Sequence, residues 1–198
     1  MAEPSVKGLL LVSSVDAINQ AIATGRIERE EVELALDPRD LELLDAKLEP
    51  MSWYPVASLG RMTELVARMT GGDRVATLRQ IGERAAESVR EQGIYSQMSF
   101  DEGAVRNATT RELKSFARQT ATIHNMFFNF GAPRVEVEES SDTLLIHYED
   151  MTGYPEATRL TSEGFTAAMA TRALGVRCRI ECENVREDGF TFRFVIGG

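Results

Sequence analysis

The sequence predicts an α+β fold: a helical N-terminal half packed on a C-terminal antiparallel sheet of about four strands. Two observations carry this. Apolar residues recur at three- and four-residue steps through the first part of the chain. From about residue 134 the period drops to two, broken by a single helical stretch, so one helix lies between two hairpins. The 198 residues show no repeat and no long linker, and are expected to form one domain, with 1–110 mainly helical and 111–198 carrying a helix and the sheet.

The helices follow in order. Asp37-Pro38 reads as a helix start, the Asp as cap and the Pro in the first turn, with Leu41, Leu43, Leu44 and Leu48 behind it. Pro55 opens the next, where Val56, Leu59, Met62, Val66 and Met69 form one stripe and Gly71-Gly72 ends it. Asp73 can start another, carrying Val75, Leu78, Ile81 and Ala85. Residues 93–108 have no period and read as a connection. Thr109 and Glu112 suggest a capping box. Beyond it Leu113, Phe116, Thr120, Ile123, Phe127 and Phe130 share a face, up to Gly131 and Pro133.

The strands come next. Val135 and Val137 alternate with Arg134, Glu136 and Glu138, and Ser140, Ser141 and Asp142 make a turn. Leu144, Ile146 and Tyr148 then face one way, with Leu145, His147 and Glu149 on the other side. A helix is expected from about Thr161 to Leu174, stopped by Gly175, with Gly164, Ala167, Ala168 and Thr171 permitting close packing on the sheet. In the last hairpin Val176, Cys178, Ile180 and Cys182 share a face. Phe190, Phe192, Phe194 and Ile196 do the same after the Glu187-Asp188-Gly189 turn. One face of this sheet is apolar; the other is charged and wet.

Composition removes several functions. A formal charge of -9 disfavours nucleic acid and anionic lipid as partners. No apolar run reaches the ~18 residues of a membrane span, and MAEPSVKGLLLVSS lacks the features of a signal peptide. Cys178 and Cys182 lie on one strand, roughly 13 Å apart, too far to bridge. A reduced, cytoplasmic protein is expected.

The chain has no Walker loop, no G-x-G-x-x-G, no H-E-x-x-H and no C-x-x-C. No nucleophile, base or metal set emerges, so neither an enzyme nor a metal site is expected. The two histidines are His124, at the edge of the Phe-rich stripe, and His147. His124 suits either a core histidine or an imidazole presented to a buried cofactor; His147 reads as an exposed or edge residue. Acidic clusters such as Glu28-Glu30-Glu31 and Glu138-Glu139 read as solvated faces. Met126, Phe127, Phe128 and Phe130 occupy more than one helix face, which implies cover on two sides, from the core, around a ligand or at a subunit interface.

The order of elements resembles the superfamily of H-NOX domains, vinyl-reductase-type ligand-binding domains and TRAPP components, with uncharacterised myxobacterial paralogues nearest. The resemblance lies in VKGLLLVSSVDAI, MSWYPVASLGRMTELVARMTGG, HNMFFNFGAPRVEVEESSDTLLIHYED and TSEGFTAAMATRALGVRCRIECENVREDGFTFRFVI. It implies a non-catalytic cytoplasmic sensor or interaction module, a homodimer or a partner of another protein, with a small apolar ligand near His124, Phe127, Phe128 and Tyr148. In the haem-binding group a Tyr-x-Ser-x-Arg motif holds the haem propionates. Here Tyr148 is followed by Glu149, Asp150, Met151 and Thr152, so an acid and a threonine stand in place of the serine and the arginine. The expectation is therefore of no cofactor, with a haem-based gas sensor ligated by His124 as the alternative.

Overall fold

The computed structural model describes residues 3–91, 110–138 and 143–196. In chain order these form β1 (Ser5–Lys7), α1 (Leu9–Ala23), α2 (Arg29–Ala35), α3 (Pro38–Asp45), β2 (Trp53–Pro55), α4 (Val56–Thr70) and α5 (Arg74–Glu91). Then come α6 (Thr110–Phe127), β3 (Ala132–Glu138), β4 (Thr143–Glu149), α7 (Glu156–Leu174), β5 (Cys178–Arg186) and β6 (Gly189–Ile196). The last four strands make an antiparallel sheet in the order β3-β4-β6-β5, with α7 connecting its two hairpins. This is the α+β arrangement the periods predict.

Local signals place most boundaries. The Asp37 side chain and the Asp40 carboxylate close a capping box at the start of α3. Asp73 caps α5 by accepting the Ala76 amide at 2.7 Å. Gly71 ends α4 at φ 76, where a residue with Cβ would be strained. Gly175 ends α7 in the left-handed region.

Four expectations change. The N-terminal half also holds a two-stranded sheet, β1 against β2; three-residue strands are too short to display a period. Helix α6 ends at Phe127, so Phe130 lies outside it: Phe128 bridges to Val6 and Asn129 donates its amide to the Ser5 carbonyl. Helix α7 begins at Glu156, five residues earlier than expected, because Pro155 serves as its N-cap and Ala157 and Leu160 already face the core. The outer sheet face is not uniformly wet, since Leu145 and Thr191 are buried in it. The expected connection at 93–108, the Thr109 capping residue and the turn at Ser140, Ser141 and Asp142 lie outside the described residues.

Two large apolar clusters result. One fills the space between the inner sheet face and helices α6 and α7, with Phe192, Leu144 and Ile146 fully buried. The other joins α1, α3 and α4 to β1. Phe128, Phe130 and Tyr154 pack against both, at the seam. The small residues of α7 meet a helix rather than the sheet alone: a methyl on Gly164 would run into the Arg79 carbonyl, and one on Gly82 into that of Thr161. Helices α5 and α7 therefore touch backbone to backbone. The buried Glu163 lies at this crossing, accepting from Arg79 at 2.6 and 2.9 Å and from Arg159 at 2.5 Å.

Candidate functional site

His124 lies in the last turn of α6 and is buried. Its Nε2 is 2.9 Å from the carbonyl oxygen of Phe130. A carbonyl only accepts, so the neutral ring carries its proton on Nε2 and a lone pair on Nδ1. Burial lowers the imidazole's pKa below its ordinary value, opposed in part by the Phe130 carbonyl. The ring is therefore neutral at pH 7, the form that binds metals.

Aromatic side chains enclose it. Phe128, one turn further along, stacks on the imidazole at 4.6 Å and 9°. Tyr148, at the inner end of β4, lies 5.4 Å away. Tyr148 in turn stacks on Phe190 at 4.8 Å, and Tyr154 stacks on Phe190 at 5.7 Å. Tyr154 closes the ring of contacts, 5.8 Å from Phe128 and 6.0 Å from Phe130. Both phenols are pushed well above the usual tyrosine range by burial and stay protonated. Met151 seals one side. The left-handed Asp150 (φ 57) turns the chain inward, and the Met151 amide donates to the Asp188 carbonyl at 2.9 Å. Gly131, at φ 80, admits both neighbours: a methyl there would strike Met151 Sδ and lie 3.0 Å from His124 Nε2.

Of the residues singled out in the sequence, the fold brings His124, Phe128 and Tyr148 together. Phe127 is buried in the cluster between α6 and the sheet. Tyr154, Met151 and Phe190 carry no such signal in the sequence; the first two come from the turn between β4 and α7 and the third from β6, and no spacing links them to His124. His147 is neither exposed nor on an edge. It sits on β4, an interior strand, with only 19% of its side chain exposed. It bridges Glu136 Oε2 and Thr191 Oγ1 at 3.1 Å each.

The cysteines remain free and apart. Burial raises the Cys178 thiol to about 11 and pushes Cys182 up as well, which makes both poor nucleophiles. Among the described residues no group of three or more His, Cys, Asp or Glu side chains gathers as a metal site, and no helix is long and apolar enough to cross a membrane.

No protein-family profile matches the sequence, and no curated protein matches it. Solved structures do. The Fe(II) unliganded H-NOX protein from K. algicida superposes with a TM-score of 0.62 over 97% of each chain, at 11% identity. The fold is that of the H-NOX domains. An H-NOX protein from S. oneidensis in its Fe(II)NO state gives 0.58 over 97% of this chain and 99% of its own, at 10% identity. An oxygen-binding H-NOX domain related to soluble guanylate cyclases gives 0.57 over 96% and 94%, at 11% identity. The H-NOX part of the expected resemblance is thus borne out in the chain path. The expectation of no cofactor is corrected by the same finding: several solved structures with this chain path are described as Fe(II) forms, and one concerns haem redox potential.

The side chains answer the fit to haem in two parts. At the iron the donor set suits it: one buried, neutral imidazole in an aromatic shell, on the helix before the sheet. At the carboxylates, the end of β4 offers Glu149, Asp150 and Thr152, none of them a cation. Any partner for a carboxylate must come from another segment of the chain.

Proposed function

We propose that this chain is a haem-binding sensor domain with the H-NOX fold, and that His124 is the residue that ligates the iron. The observation that carries the reading is the placement of His124. It is buried and neutral, and it faces an aromatic junction between the two apolar clusters. This reading takes precedence over a sensor for some other apolar ligand, because the fold is one known from iron-containing proteins. Bound haem would supply an iron atom able to take a diatomic gas.

The protein's own residues would do the rest. His124 provides a nitrogen lone pair, and Phe128, Phe130, Tyr148 and Tyr154 exclude water around it. One nitrogen cannot both donate to the Phe130 carbonyl and bind iron through the same atom. Ligation through Nε2 therefore requires the ring proton to leave that nitrogen and the 2.9 Å hydrogen bond to break. The loop that holds Phe130 is tied to the N-terminus: the Ser5 amide donates to Asn129 Oδ1 at 2.7 Å, and the Asn129 amide to the Ser5 carbonyl at 3.1 Å. A change at His124 thus has a physical route to β1, which suits a sensor rather than a catalyst. Titration of the purified chain with haemin tests the reading. A Soret band that is lost in His124→Ala is expected; a protein that stays colourless with excess haemin would sink it.

A further inference from the structure

The sheet ends in a strand with an unpaired edge. β5 lies at one margin of the order β3-β4-β6-β5, and among the described strands it bonds only to β6. Thr171 shows which way its backbone points. The Cys178 amide donates to Thr171 Oγ1 at 3.0 Å, and that hydroxyl lies 3.4 Å from the Cys178 carbonyl. Cys178 therefore turns its polar backbone groups away from β6. These groups alternate along an antiparallel strand, so Ile180 and Cys182 turn theirs the same way. Thr171 stands in for a neighbouring strand at Cys178. Among the described residues nothing does so at Ile180 or Cys182.

The side chains along this edge are their own complement. From Arg177 to Glu183 the sequence runs Arg-Cys-Arg-Ile-Glu-Cys-Glu. In an antiparallel pair about a two-fold axis through Ile180, Arg179 meets the partner's Glu181, Arg177 meets the partner's Glu183, and the charges all lie on the outer face. Opposite charges across strands are favourable and like charges are not. Moving the axis to Arg179 or Glu181 sets a charged residue against itself. Moving it to Cys178 or Cys182 opposes Arg177 to Arg179 or Glu181 to Glu183. Charge therefore selects one register. The groups are available for it. Arg179 is 71% exposed and held only by Glu181 two residues along, a surface pair that exchanges easily. Arg177 is exposed and holds no carboxylate among the described residues. Glu183 already holds Arg193, so the Arg179–Glu181 pairing carries more of the selection. The opposite margin, β3, carries Pro133, which supplies no amide for a further strand.

We propose that β5 is the interface of a symmetric dimer, in which two copies of this chain join edge to edge and continue their sheets into one. Arg179 and Glu181 set the register, and the backbone groups of Ile180 bond across the axis. The strand pair lengthens to Cys178 and Cys182 where the Thr171 hydroxyl gives way. A second copy is favoured over another peptide because the edge complements itself. The inference goes beyond the haem reading and does not depend on it.

Sedimentation equilibrium of the full chain over a concentration series tests it. The unaltered chain is expected to dimerise, and less tightly as salt is raised, because the pairs are exposed. Arg179→Glu and Glu181→Arg each oppose like charges twice, and each is expected to weaken the dimer about tenfold. An equimolar mixture of the two variants is expected to regain it, since glutamate again faces arginine at both positions. A variant that failed to fold could not complement the other, so the mixture separates lost folding from lost pairing. A chain that is monomeric at every concentration overturns the inference. So does a dimer that tolerates both variants, or a pair of dissociated variants that do not complement each other.

Discussion

Each face of the four-stranded sheet has a histidine near it, and the two are treated in opposite ways. On the inner side His124 is packed among rings, with one hydrogen bond to a backbone carbonyl. On the outer side His147 bridges a half-exposed carboxylate and a buried hydroxyl, among paired charges such as Arg193 with Glu183 at 2.7 Å. One imidazole is kept neutral by the lack of water. The other has acceptors at hand for either ring proton. The contrast teaches that function is better sought where polarity is scarce. A single polar atom among aromatic groups is available to a ligand, whereas a polar atom in a charge network is already engaged.

The largest expected effect breaks the inner face. Phe192 is fully buried at its centre, and Phe192→Ala should cost about 3–5 kcal/mol in chemical unfolding. Gly131 comes next. Gly131→Ala must hold a left-handed backbone and push against Met151 and His124, for roughly 1–3 kcal/mol. A variant as stable as the parent would show that the His124 enclosure yields easily.

The pH dependence sharpens the comparison further. The folded His124 has a pKa below the unfolded value of 6.5. Above 6.5 the ring is neutral in both states and contributes no slope. As the pH falls below 6.5 the unfolded chain takes a proton that the folded ring resists, so stability declines until the folded pKa is passed. In protein without added haem, His124→Phe should flatten this part of the stability curve; an unchanged slope would mean that the ring is hydrated. The smallest effect belongs to the outer face. His147→Ala removes one partner from Thr191 and one from Glu136, and should cost no more than about 1 kcal/mol. A loss comparable to that of Phe192→Ala would erase the distinction between the faces.

Much of the scaffold is legible in the sequence. Asp37-Pro38, Gly71 and Asp73 act within a few residues of themselves, so their helix boundaries follow from local chemistry. The alternation through Phe190, Phe192 and Phe194 gives the inner face directly. Less of the site is legible. His124, Phe128 and Tyr148 stand out by type, but Tyr154 looks like part of a turn before Pro155. Its role depends on Phe190, Phe130 and Ser162, which approach it only after α7 packs on the sheet. Leu145 shows the same limit on the outer face. Its alternation is that of a wet position, but it lies between Glu136 and Arg193 in the strand register and is buried.

By itself the sequence determined most of the longer helices and strands, which residues of the last hairpin point inward, and that the residues following Tyr148 bring no cation. These are matters of period, capping and side-chain type, settled over a few neighbouring residues. Only the tertiary structure decided which histidine loses its water, which rings surround it, and which carboxylate is buried between α5 and α7. Burial and electric field depend on what the rest of the chain brings alongside, and no local pattern encodes them.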